Sequence, residues 1–354
     1  MMNKYKWLGI FLLCAVCCRE NATDPSVFPG ADEHHIDSGQ LEQAFHLARQ
    51  DSGISALIVA RHNVVVAEEI FHTGIIDTTQ NIYSITKSVL SILTGIALEK
   101  GLLENIDQKI GPIIENLSEA CRPEHENLTI RHLLTMSCGL PWSELDALAT
   151  DYTKWASADN QVDYVLSLPF VHPPGEIYTY NSGASHLLSV ILAHASKETT
   201  QDFANKYLFT PLQISPGAWS KDKQGYYNGS STLRLGPHAL LKIGLLVLNN
   251  GRYKDKQVVP QEWITLATQQ HITTNNAVPY GPGYGFLWWA GRQNGHDYYF
   301  ANGWGGQFIL NVPTLELTIV AQSNWNLGQR QAHEQWWNTI NLIMSQILPA
   351  VRED

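Results

Sequence analysis

The sequence predicts an α/β (α+β) fold: an antiparallel sheet built from both chain ends, flanked by helices, with a mostly helical domain inserted between them. Three observations predict it. Apolar, β-branched runs occur near the start, at residues 54–60 and 64–71, and again beyond Tyr280. Helical periodicity fills the long stretch between them. Strands from the two ends can pair in one sheet, which leaves the middle as a second lobe. The expected organisation is residues 1–18 as an export signal and 19–37 as a flexible N-terminus. Residues 38–106 and 235–354 then make the sheet-containing α/β domain, and 107–234 the helical domain. A ligand would sit in the cleft between the two.

Each element has its own signature. Residues 39–50 read as a helix, with Leu41, Ala44, Phe45, Leu47 and Ala48 on one side. The runs 54–60 and 64–71 flank Arg61-His62-Asn63, which reads as a hairpin turn. Residues 84–103 carry a broad apolar face (Val89, Leu90, Ile92, Leu93, Ile96, Ala97), and Gly101 is placed to stop that helix. Helical segments follow at 128–136, 162–167, 185–195, 200–208, 237–249 and 260–269. Extended segments return at 286–290, 297–301, 307–312 and 315–323, with Pro313-Thr314 turning the chain before the last. Residues 333–348 read as a closing helix.

Composition removes several functions. Asp and Glu number 33 against 23 Lys and Arg, for a net charge of −10. A nucleic-acid binder needs a basic stripe to replace phosphate counterions, and none is available. Hydrophobic residues at 44% and charged residues at 16% exclude a disordered chain. At the start, Lys4 and Lys6 precede an apolar run from Trp7 to Cys18. That is a secretory signal pattern, too short to span a bilayer as a mature helix. Cys18 follows the run as a lipid-attachment cysteine would; lipidation and simple cleavage both stay open. The expected location is periplasmic or extracellular. Only Cys121 and Cys138 remain beyond the signal. Export permits a disulfide between them, and two buried thiols is the other reading. The 14 His include no His-Glu-x-x-His and no structural-zinc spacing, so no metal and no cofactor is expected. His34-His35 reads as solvated.

Three stretches could carry chemistry. Ser84-Ile85-Thr86-Lys87 opens a helix, and a spacing of three puts Ser84 and Lys87 on one face. A desolvated Lys has a lowered pKa and can accept a proton from the Ser hydroxyl. Ser220-Lys221-Asp222-Lys223 has the same spacing but sits in a polar loop with no apolar helix behind it. Pro173-Pro174-Gly175 precedes Tyr178-Thr179-Tyr180-Asn181-Ser182, where a Tyr near a Lys ammonium could ionise and serve as base or acid. Tyr226-Tyr227-Asn228 is a weaker stretch of similar form. Asn302-Gly303-Trp304-Gly305-Gly306-Gln307 closes an extended run. Its small residues let a substrate lie against the backbone, and an N–H of Trp304 or Gly305 could pair with that of Ser84 as an oxyanion hole. Eleven Trp leave core packing and an aromatic-walled cleft equally open.

Taken together these stretches resemble the serine β-lactamase and penicillin-binding-protein superfamily. The closer resemblance is to the class C β-lactamase-related serine hydrolases, which include esterases, D-amino-acid peptidases and aminohexanoate-dimer hydrolases. Leu128 to Met136, Pro173-Pro174-Gly175, and Asn249-Asn250-Gly251-Arg252 followed by Val258-Val259-Pro260 extend it over residues 38–348. The resemblance implies Ser84 as acylated nucleophile, Lys87 as its proton acceptor and Tyr180 as proton relay to the leaving group and, later, activator of water. Ser182 stands where the family often has Asn. Gly303-Trp304-Gly305 stands where true β-lactamases have Lys-Thr-Gly, so the cation that anchors a substrate carboxylate is missing. Arg292 is near in sequence and could replace it. Trp142 falls at the cleft mouth, where aminohexanoate-type relatives have an aromatic contact. Asn302, Tyr284 and Trp288 are further wall candidates. The expectation is an exported serine hydrolase acting on a small-molecule ester, amide or peptide. A β-lactamase or D-amino-acid peptidase, and a non-catalytic envelope sensor, are the alternatives.

Overall fold

The computed structural model describes residues 28, 30–71, 78–114, 118, 120, 122–145, 149–324 and 326–353. Eight strands form one antiparallel sheet: β1 Ile54–Arg61, β2 Val64–Ile70, β3 Ile272–Thr273, β4 Gly283–Tyr284, β5 Trp289–Gln293, β6 His296–Gly303, β7 Gln307–Val312 and β8 Leu317–Ser323. Across the sheet they run β2-β1-β8-β7-β6-β5-β4-β3. The two chain ends meet where β1 pairs with β8, with Leu57 opposite Ala321 and Val59 opposite Ile319. The β1–β2 turn holds His62 and Asn63 at φ 52° and 64°. Two adjacent left-handed residues give the turn whose twist matches a hairpin.

Strands β7 and β8 are buried at every residue, because helices cover both faces of the sheet. Ile309 meets Gly244 of the helix Pro237–Leu248. Its neighbour Phe308 meets Trp336 of the closing helix Gln329–Leu342. Successive strand side chains point to opposite faces, so these two helices lie on opposite sides.

The central helix, α1 (Ile85–Glu99), is buried continuously from Ile85 to Ala97. It packs against β6 on one side and against α2 (Ser182–Ser196) on the other. A helix apolar nearly all round belongs at the centre of a core. The helix ends at Glu99, and Gly101, the residue expected to stop it, takes φ 65° and releases the chain.

Three expectations need correction. Residues 286–290 were expected to be extended, but β5 begins only at Trp289. Leu287 sits at φ 62°, its N–H donates to Leu134 O and its carbonyl accepts from Ser88 Oγ, so helices rather than a strand partner claim its backbone. Within the segment expected to be flexible, Phe28 packs on Phe45 and Ile36 is buried opposite Val351. His34, expected to be solvated, places its Nδ1 3.2 Å from Nδ1 of His62. The export segment and Cys121 lie outside the described residues. Cys138 is buried, which pushes its thiol up to about 12.

Strand β6 ends hard against the entry to α1. A Cβ on Gly303 would lie 2.3 Å from Ile82 O and 3.1 Å from Tyr83 Cβ. Gly303→Ala should therefore lower the unfolding free energy by about 1–3 kcal/mol, the usual cost of overpacking, in a urea titration.

Candidate active site

The chain enters α1 through a strained turn. Asn81 Oδ1 accepts from the Tyr83 N–H at 2.9 Å, and Tyr83 takes φ 48°. Ser84 is the N-cap residue, yet its side chain makes no capping bond. Its hydroxyl instead receives Lys87, whose Nζ lies 3.0 Å from Ser84 Oγ and also donates to Ser230 O at 2.9 Å. Lys87 is 1% exposed. Burial pushes its ammonium down to about 8, while the negative charge of Glu144 works in the other direction. Ser84 itself is half-buried and reachable. Its N–H donates to no acceptor among the described residues. Placed at a helix start, that group suits a developing oxyanion. The close contact of Gly303 with Tyr83 brings the turn at Trp304 and Gly305 alongside, as a source of a second donor.

Tyr180 stands immediately before α2. Asn181 caps that helix, its Oδ1 accepting from Ala184 N at 2.9 Å. The Tyr180 side chain faces that of Ser84, whose hydroxyl favours the phenolate. Its ring stacks on Trp289 at 5.8 Å, and Lys87 Nζ lies 4.8 Å from the ring centroid. Burial pushes the phenol well above its ordinary range, and Glu144 and Tyr152 push the same way. The sequence suggested a Tyr ionised by a neighbouring ammonium. Here the ammonium lies over the ring face, and burial favours the neutral phenol.

Sequence reasoning missed Glu144. Its carboxylate accepts from Ser182 Oγ at 2.5 Å, from Ser182 N at 2.8 Å and from Trp142 Nε1 at 2.8 Å. The preceding Ser143 is held by Asp151 through both its N–H and its hydroxyl. The three residues 142–144 thus act as one clamp on the start of α2. Trp142 also meets Trp155 and Tyr164 edge-on, at 6.0 and 6.3 Å. The only hint in sequence was the proximity of Glu144 to Trp142; the contact with Ser182 is made by folding.

The remaining candidates divide. Tyr284 and Trp288 are each 1% exposed and belong to the core. Asn302 leaves Nδ2 buried without a partner among the described residues. Trp304 is 39% exposed. Arg292 pairs with Asp297 at the opposite end of the β5–β6 hairpin, roughly 20 Å along the strand from Gly303. It is therefore not a replacement for the missing cation. Lys223 of the second Ser-x-x-Lys pairs with exposed Asp159. Among the described residues, no group of His, Cys, Asp and Glu could hold a metal ion. A surface cavity of about 1290 Å³, lined by Tyr253, Arg292 and Tyr298 among others, lies away from Ser84.

The sheet order, the covering helices and the Ser-Lys-Tyr cluster define a class, the serine hydrolases of the β-lactamase fold. Residues 40–342 match the family model described as Beta-lactamase, and the chain belongs to that family. A Bacillus anthracis structure assigned as a 6-aminohexanoate-dimer hydrolase superposes with a TM-score of 0.71 at 17% identity, over 83% of this chain and 80% of that one. EstCE1, described as a hydrolase with promiscuous acyltransferase activity, gives 0.72 at 16% identity over 88% and 98%. An octameric penicillin-binding protein homologue from Pyrococcus abyssi gives 0.66 at 20% identity over 88% and 78%. At such identities the likeness is one of fold. No curated protein is matched by the sequence.

With Lys87 near 8, kcat/KM should rise through an acid limb around pH 8 as the ammonium loses its proton. Glu144→Gln removes the charge that raises Lys87, so the limb should move to lower pH, by up to about one unit. A pH–rate profile of the two proteins checks both.

Proposed function

We propose that the protein is an exported serine hydrolase that cleaves an ester or amide through a Ser84 acyl-enzyme. The observation that carries this reading is a desolvated Lys87 Nζ 3.0 Å from Ser84 Oγ at the start of a buried helix. Lys87 takes the Ser84 proton as Oγ attacks the substrate carbonyl carbon. Backbone N–H groups of Ser84 and the Trp304–Gly305 turn receive the oxyanion. Tyr180, a buried phenol facing Ser84, donates its proton to the leaving group. The Lys87 ammonium then returns its proton to Tyr180; water attacks the acyl carbon with neutral Lys87 as base, and Ser84 Oγ leaves with that proton, which restores the starting groups.

The substrate is a small-molecule ester, amide or peptide, and not a nucleic acid. Carboxylate-bearing substrates such as penicillins are disfavoured, because Gly303-Trp304-Gly305 carries no cation and Arg292 is committed to Asp297 elsewhere. The signal-like residues 1–18 support export, with cleavage or a lipid anchor at Cys18 as its two outcomes.

A fluorophosphonate should label the purified protein at Ser84, as read by peptide mass. Ser84→Ala should abolish labelling and lower turnover of short nitrophenyl esters by about a thousandfold or more. Full activity in Ser84→Ala would exclude the mechanism. Labelling without turnover across esters, β-lactams, D-amino-acid peptides and amide oligomers would favour an envelope sensor on the same fold.

A further inference from the structure

We propose that a buried His186–Asp222 pair, remote from the reacting atoms, is a positioning device for Lys87, acting through the loop of residues 226–231. The proposal rests on the reading that Lys87 is the base. His186 is on the first turns of α2, and both side chains of the pair are fully buried, with Nε2 2.9 Å from Asp222 Oδ2. The Gly229 N–H donates to His186 Nδ1 at 3.2 Å. That bond makes Nδ1 an acceptor, so the hydrogen of the neutral ring is on Nε2 and points at Asp222. The other oxygen, Asp222 Oδ1, accepts from Gln224 N and Tyr226 N. The pair therefore ties both arms of the loop to α2.

The loop has little freedom left. A Cβ at residue 229 would lie 2.6 Å from Ser185 O and 2.9 Å from His186 Cα, so only Gly lets the strand of loop approach the helix. Asn228 Oδ1 accepts from Ser230 N, Ser230 Oγ and Ser231 N, and Ser189 Oγ donates to Tyr227 O. The product of this arrangement is one carbonyl, Ser230 O, aimed at Lys87 Nζ. The Lys87 ammonium otherwise faces Ser84 Oγ and the Tyr180 ring, under the charge of Glu144. His186 faces Asp222, Gly229 and the Trp155 ring. A loosened loop would admit water beside Lys87, and its ammonium would return toward the ordinary amine range.

Asp222→Asn tests this with almost no change of shape. An amide there must aim its NH₂ either at the Nε2–H or at two backbone N–H groups. The expected result is a kcat at pH 7 lowered about tenfold with KM nearly constant, and an acid limb of kcat/KM moved up by about one unit. Asp222→Asn that melts cooperatively and whose limb superimposes on the wild type would overturn the proposal. Should that variant not fold, His186→Asn decides on the same limb, since it keeps an acceptor for Gly229 and loses the donor to Asp222. Failure of the underlying reading looks different: the wild type itself would show neither fluorophosphonate labelling at Ser84 nor a limb near pH 8.

Discussion

The desolvated ammonium of Lys87 is the constraint on which the rest of the site depends. A charge at the centre of a core is expensive unless hydrogen-bonded, and it becomes a proton acceptor only if it stays dry. The fold meets both demands. Lys87 is on a helix buried continuously from Ile85 to Ala97, and its Nζ finds Ser84 Oγ, Ser230 O and the face of Tyr180. Every element near the site can be understood by what it does to that nitrogen. The sheet and α2 exclude water, the 226–231 loop supplies a carbonyl, and Glu144 tunes the charge from a distance.

Backbone approach is the second constraint. The turn into α1 is strained at Tyr83, and β6 comes within contact distance of it only because residue 303 has no side chain. The strained turn frees the Ser84 hydroxyl from capping, and the close strand brings further N–H groups to the same place. A nucleophile that capped its own helix would spend its oxygen on the backbone. Here the capping role at α2 goes to Asn181, which leaves Tyr180 free to face Ser84.

What could be read in the sequence follows from the range of the interactions. Ser84 and Lys87 lie one helical turn apart, so spacing alone joins them. Strand β7 matches the residues expected of it, because a hairpin turn at Pro313 marks its end. Strands β3 and β4 have two residues each, too few for any period to register. Glu144 was invisible because its partner Ser182 is 38 residues away, and neither helix between them carries a sign of that contact. The polar stretch from Ser220 to Ser231 looked like a surface loop with a chance Ser-x-x-Lys. Its backbone carbonyl at Ser230 is one of the two hydrogen-bond acceptors of Lys87, and a carbonyl contribution leaves no mark in residue type.

Ser182, where the resemblance leads one to expect Asn, differs from it by more than the missing amide. An amide side chain would offer a donor and an acceptor to a bound substrate. The Ser182 hydroxyl instead donates to Glu144, and the same carboxylate also binds the Ser182 N–H and the Trp142 indole. The contact made here is therefore an anionic one, anchored at the start of α2. Burial lowers the affinity of Lys87 for its proton and that charge raises it, and the two effects together leave the ammonium near 8. The absent Lys of the late strand fits the same balance. A second cation beside Ser84 would depress Lys87 further, and the carboxylate that offsets burial here would have two ammonium groups to serve. The carboxylate of Glu144 and the absence of a cation in Gly303-Trp304-Gly305 thus act on Lys87 in the same direction, each favouring its protonated form.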